Sequence, residues 1–304
     1  MATTPKSQSA TVRKNGSLGL SLISASLRIG GTVAPGATSA VVKRLLFAPQ
    51  KGRVRENEAQ ILQGATTTRH VLGNDTVCHY EWGSGARRIL LVHGWSGHAG
   101  QMTSFVKPLL AAGYHVIALD LPAHGKSPGK TASVVHFKRA VLHAMQLYGP
   151  FHGVVAHSLG AASIALAISE GLLCERVVFL GAVTRYGPIW EQSKKMLGIT
   201  PRIMDLVILR AEKWLGVHFD DISPERLAPS FSSELLIVHD RGDYEVPLEG
   251  AQALAACWPK AQIVVTEKLG HVKLLHDPGI VQRSVTFLNE GHNPHSETNL
   301  TYVL

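Results

Sequence analysis

The sequence predicts an α/β fold built around mainly parallel strands, and two observations carry that expectation. From about residue 66, short β-branched apolar runs alternate with longer helix-like segments, the pattern of strands joined by crossover helices. The chain of 304 residues is also 45% hydrophobic, enough for one sizeable core. In order, the runs over 76–82, 88–93, 115–119, 153–157, 176–180, 235–238 and 262–266 are expected strands. Stretches near 99–112, 133–147, 159–172, 247–256 and 272–289 are expected helices. Between Gly181 and about Ser230 the alternation stops. That segment is too long for a plain loop, and its spaced Trp190, Met196, Ile203, Met204, Leu209 and Trp214 predict helices of its own. It reads either as a helical cap over a pocket or as an insertion packing its own core.

Charge and cysteine usage restrict the function classes. The formal net charge is +8, but residues 1–55 hold nine Lys or Arg and no Asp or Glu, while the remainder has 21 basic against 22 acidic residues. A near-neutral body without an aromatic-plus-basic motif argues against nucleic-acid recognition. Cys78, Cys174 and Cys257 are odd in number and widely separated, which suggests neither a disulfide framework nor a zinc site and fits a reducing, cytoplasmic setting. With no metal-ligand spacing and no phosphate loop, no cofactor is expected.

The basic N-terminal extension, residues 1–55, is read as partly flexible at its Ser/Thr/Lys-rich start, with the main domain from 56 to 304. Leu18 to Leu27 has the outline of a signal-peptide apolar region but is too short to span a bilayer. A second patch, Val41-Val42 and Leu45-Leu46-Phe47 around Lys43-Arg44, fits a basic amphipathic helix on an anionic membrane surface. Packing on the main domain is the competing expectation.

The chemistry concentrates at Val154-Val155-Ala156-His157-Ser158-Leu159-Gly160-Ala161, an apolar strand that turns sharply into a helix at a serine. This is the setting of a nucleophile elbow: small neighbours permit the turn, and the helix start aims free N–H groups at developing negative charge. Ala156 stands where the G-x-S-x-G pattern has its first glycine. Gly125-Lys126-Ser127-Pro128-Gly129 matches that pattern letter for letter, yet Pro128 lacks the N–H that must follow a nucleophile. A serine needs a base, and the base an orienting carboxylate. Asp240, Asp243 and Glu245 follow one strand and compete for the acid role, with Asp243 placed best in the loop. His271 follows the next strand in a loop from which it reaches a cleft, whereas His276 is expected inside the following helix. For the oxyanion, the Trp95 and Leu159 amides are the expected donors, and His93 is expected to fix its loop rather than transfer protons.

These residues, with Val92-His93-Gly94-Trp95, Asp120-Leu121-Pro122-Ala123-His124-Gly125-Lys126-Ser127, Asp243 ahead of Val246-Pro247, and Gly270-His271, make the chain resemble the α/β-hydrolase superfamily over about 66–290. The resemblance implies a mostly parallel central sheet with helices on both faces and a helical cap inserted at about 181–230, after the sixth strand. It implies a serine hydrolase of the carboxylesterase, lipase or thioesterase kind, with Ser158, Asp243 and His271 as triad and an acyl substrate. Acyl transfer to an alcohol or thiol, and ligand binding without catalysis, remain open on sequence alone. The substrate, like the oligomeric state, lies beyond it.

Overall fold

A computed structural model describes residues 23–290. The flexible start expected over 1–17, and the first part of the Leu18–Leu27 run, lie outside the described residues. Among the described residues no helix is long and apolar enough to cross a membrane, and the three cysteines are free thiols.

The described chain divides into two compact units, 23–46 with 187–216 and 47–186 with 217–290. The first is helical throughout: α1 over 23–33, α2 (Pro35–Leu46), α7 (Gly187–Leu197) and α8 (Pro201–Leu215). Leu27, Val42, Leu197, Ile199, Ile203, Met204 and Val207 form its core. Thr200 caps α8 by accepting from the Ile203 amide, with Pro201 at the first position, and Gly216 ends the helix in the left-handed region at φ 69°, a conformation glycine adopts without a Cβ clash. The described part of the N-terminal extension and the first part of the insertion therefore share one core, although the sequence alone sets them apart.

The second unit carries an eight-stranded sheet in the order β1-β2-β4-β3-β5-β6-β7-β8. Its strands are β1 (Thr66–Leu72), β2 (Asp75–Trp82), β3 (Arg88–Val92), β4 (His115–Asp120), β5 (Phe151–His157), β6 (Cys174–Leu180), β7 (Glu234–Asp240) and β8 (Ala261–Thr266). β2 is antiparallel to both β1 and β4, and the remaining pairs are parallel. The central strands are apolar almost residue by residue because both faces are covered. On one face Leu90, Val92, Val154 and Ala156 pack with Phe137, Ala140, Ala161, Ile164, Ala251 and Leu254. The covering residues come from α5 (Val134–Tyr148), α6 (Leu159–Ser169) and α10 (Leu248–Cys257), with the single turn α9 (Pro224–Leu227) beside α6.

The other face packs on Met102, Phe105, Leu109, Val281, Val285 and Leu288. These come from a 3₁₀ segment (Ala99–Phe105), α4 (Val106–Ala111) and α12 (Pro278–Asn289). The mostly parallel sheet with helices on both faces is as expected. Three elements are not anticipated by the sequence: β1, whose burial alternates weakly along TTTRHVL; the short polar helix α3 (Glu56–Gln63); and α11 (Gly270–Lys273), a single turn.

At the β1 edge, three histidines meet. The His70 and His79 rings lie 4.4 Å apart and the His70 and His143 rings 5.9 Å. His79 is fully buried. The Tyr148 hydroxyl sits 3.2 Å from His79 Nδ1 and donates to Glu81 at 3.0 Å. Burial, with His70 and His143 adding to it, pushes His79 down to about 3. A histidine held neutral in the fold charges freely once unfolded, so its contribution is intact above about pH 6.5 and is lost as pH falls toward 3. The thermal midpoint should therefore drop between pH 7 and pH 5, with His79 accounting for about 2 kcal/mol at pH 5. His79→Gln should show a smaller drop over the same interval; parallel curves for the two proteins would remove His79 from this account.

Candidate active site

The turn between β5 and α6 places Ser158 at φ 53° and ψ −121°, a left-handed conformation that costs a non-glycine residue about 1–3 kcal/mol. Surrounding hydrogen bonds hold it there. Ser158 N donates to Leu180 O at 3.0 Å, and Ser158 O accepts from Ala161 N at 3.0 Å and Val183 N at 3.2 Å. The close approach depends on two glycines. A Cβ on Gly160 would lie 2.5 Å from His93 O, and one on Gly94 would lie 2.8 Å from Ser158 Cβ. Ala156, which departs from the glycine pattern, is fully buried between Val92 and Phe179 of the flanking strands.

Beyond β7 and β8 two loops bring an acid and a histidine together. His271 Nδ1 lies 2.7 Å from Asp243 Oδ2, and the Asp243 side chain is wholly buried. The other carboxylate oxygen accepts from the Glu245 and Val246 amides, both at 2.9 Å. Burial alone would raise the Asp243 carboxyl, but the hydrogen bond and charge of His271 together with those amides outweigh it and hold the group below its ordinary value. With Nδ1 directed at Asp243, Nε2 is the nitrogen open to other chemistry; the exposed Glu245 carboxylate stands 3.9 Å from it.

Asp240, the nearest rival for the acid role, is engaged elsewhere. It is fully buried and accepts from Gly242 N at 2.9 Å, Thr266 Oγ1 at 2.9 Å and Leu269 N at 3.0 Å. It thereby ties the loop after β7 to the loop after β8. Burial would raise its carboxyl too, but the donors of Gly270, Leu269, Thr266 and Gly242 prevail and lower it.

The His271 ring also meets the elbow. The His157 and His271 rings are 4.6 Å apart, and His157 Nε2 lies 3.0 Å from His271 O. A Cβ on Gly181, at φ 55°, would come within 3.0 Å of His271 Nδ1. Burial, reinforced by His271, depresses His157 to about 3, so it bonds as a neutral ring. Ser158, Asp243 and His271 thus follow the C-terminal ends of β5, β7 and β8, which run parallel in one sheet. His271 sits in the short helix α11 and is buried, where a free loop is expected from the sequence. His276 precedes α12 instead of lying within it, and its Nδ1 is 2.9 Å from the Ser104 hydroxyl.

The expected oxyanion donors flank the same turn. Leu159 is the first residue of α6, and Trp95 follows Gly94, which packs on Ser158. The Trp95 indole stacks on Phe137, centroids 6.2 Å apart, and meets His124 edge-on at 5.2 Å. His93 anchors the loop: Nδ1 lies 2.7 Å from Gly94 O and Nε2 accepts from Leu121 N at 3.1 Å. His124, to which the sequence assigns no role, accepts from Ser96 N at 2.9 Å and so braces that loop from the β4 side. Ser127 is fully buried; its hydroxyl donates to Asp120 O and accepts from Cys78 N.

The alpha/beta hydrolase family model matches residues 89–283. The chain belongs to the alpha/beta hydrolase family. Among curated proteins, this family member is 27% identical over 248 residues to a 2-hydroxy-6-oxononadienedioate/2-hydroxy-6-oxononatrienedioate hydrolase of Pseudomonas putida, covering 65% of this chain and 86% of that enzyme. Among solved structures, an esterase of Pyrococcus furiosus aligns with a TM-score of 0.61 at 19% identity, over 80% of this chain and 97% of the other. A bacterial membrane phospholipase A aligns with a TM-score of 0.58 at 19% identity, over 91% and 98% respectively. At these identities the structural matches establish the shared fold.

The tight seat of Gly160 against His93 O has a direct consequence. Gly160→Ala forces the start of α6 away from β3 and should cost about 1–3 kcal/mol, read as a lowered urea midpoint with unchanged slope. A midpoint equal to the parent's would show that the turn relaxes freely.

Proposed function

We propose that this family member is a serine hydrolase acting on an ester or thioester through an acyl-enzyme. The observation that carries the reading is the buried Asp243–His271 hydrogen bond beside a serine held in a strained strand-to-helix turn. Asp243 keeps the proton of His271 on Nδ1 and leaves Nε2 as the base. As His271 takes the Ser158 proton, Oγ attacks the acyl carbon and negative charge develops on the carbonyl oxygen. The Trp95 and Leu159 amides receive that charge; each such donor contributes about 2.7–4 kcal/mol to the transition state. His271 then returns the proton to the departing alcohol or thiol. Water, deprotonated by the same ring, cleaves the acyl-enzyme and regenerates Ser158.

The buried imidazolium formed in each half-reaction is offset by the Asp243 carboxylate, which is held ionised in advance. Asp243→Asn would turn an amide toward Nδ1 and favour the wrong tautomer, so kcat should fall on the order of 10⁴-fold.

Kinetics on short and medium acyl p-nitrophenyl esters test the reading. Wild type should turn them over and Ser158→Ala should fall to background. Ser127→Ala should keep its kcat while losing about 1–3 kcal/mol of stability, because the Cys78 amide loses its acceptor. Folded wild type inert toward every ester, or hydrolysis that survives Ser158→Ala, would sink the proposal.

A further inference from the structure

One exposed row of α1 and α2 is apolar where a water-facing helix should be polar. Ile29, Val33, Ala37, Val41 and Leu45 recur every fourth residue, and all five are exposed. Such i, i+4 spacing forms a slanting ridge, short on each helix: Ile29 and Val33 on α1, and Ala37, Val41 and Leu45 on α2. The helical hydrogen bonding runs through the join between the two helices, with Ala34 N donating to Gly30 O and Thr38 N to Ala34 O. The side turned inward mixes apolar and polar residues: Leu27 of α1 and Val42 of α2 enter the core of the unit, Thr38 and Ser39 are buried beside them, and Ser39 Oγ accepts from Arg210 Nε at 2.9 Å.

The apolar exposure is large residue by residue. Ile29 is 68% and Val33 80% exposed, so burying them elsewhere would recover hydrophobic free energy that the fold leaves unused. The adjoining row carries Arg28 and Arg44, and residues 1–55 contain no acidic side chain at all. Lys43 Nζ stands 4.2 Å from the centre of the Trp214 ring, and Trp214 is itself exposed. Aliphatic side chains in a row, flanking arginines and an aromatic ring beside a lysine match what an interfacial helix offers to headgroups and upper acyl chains. The uniform positive charge favours an anionic partner.

We propose that this ridge docks on an anionic lipid bilayer, with Ile29, Val33, Val41 and Leu45 entering the interface and Arg28 and Arg44 at the headgroups. The surface is independent of the chemistry at Ser158. An acidic protein could match the charge, but the aliphatic row, with no polar residue to fix a register against a partner, favours lipid.

Flotation of the full chain with phosphatidylcholine vesicles, with and without phosphatidylglycerol, tests the proposal. Wild type should float only with the anionic vesicles, and added salt should weaken it. Ile29→Ser/Val33→Ser/Val41→Ser/Leu45→Ser should abolish flotation. Arg28→Gln/Arg44→Gln, conservative enough to spare the fold, should weaken binding about fivefold for each arginine removed. Circular dichroism melts check that both variants are folded. No flotation of wild type, or equal flotation of wild type and both folded variants, overturns the proposal. So does a dimer in light scattering that the serine variant disrupts while wild type ignores vesicles, since the ridge would then join two copies of the chain.

Discussion

The backbone at Ser158 is the constraint around which the second unit is arranged. A serine at φ 53° is unfavourable in isolation, and it persists because three backbone hydrogen bonds and two glycine contacts leave it no relaxed alternative. Those contacts are drawn from several elements. Gly94 and His93 follow β3, Leu180 closes β6, and Gly160 lies in the first turn of α6. Parallel pairing of β3, β5 and β6 brings the strand ends level, so sheet topology and elbow geometry are one requirement.

Two buried aspartates extend the same order to the loops. Asp120 ends β4 and accepts from Ala99 N at 2.7 Å, Tyr80 Oη at 2.9 Å and Lys126 N at 2.8 Å. Asp240 ends β7 and gathers Gly242, Thr266 and Leu269. Charge-assisted bonds of this kind are stronger than neutral ones and rigidify what they hold. Asp240 therefore sets the positions of the Asp243 and His271 loops relative to each other, while Asp243 meets the histidine. Neutral buried histidines serve a related purpose. Burial keeps His93 well below its ordinary value and holds His124 to about 4, so each ring donates through one nitrogen and accepts through the other, bridging loops without introducing charge.

Much of this is legible in the sequence. The strands β2 to β8 announce themselves as apolar runs, and the order of Ser158, Asp243 and His271 after β5, β7 and β8 singles out three residues from many serines, aspartates and 16 histidines. What escapes is of two kinds. β1 and α3 are half-exposed edge elements whose polar residues hide the periodicity that burial creates elsewhere. The core shared by residues 23–46 and 187–216 joins segments far apart in sequence, and local patterns hold no record of which distant helix an apolar face will meet. The supporting roles of His124 and His157 escape for the same reason, since their partners lie 28 and 114 residues away. The departure at Ala156 is visible, and its tolerance is explained by a position inside the sheet, ahead of the strained residue.

That the elbow activates Ser158 and no other serine is tested most directly by peptide mapping after reaction with a fluorophosphonate. A single adduct is predicted in the tryptic peptide 140–176, at Ser158, and absent from Ser158→Ala. An adduct on Ser127, or folded protein that takes up no label, would contradict it.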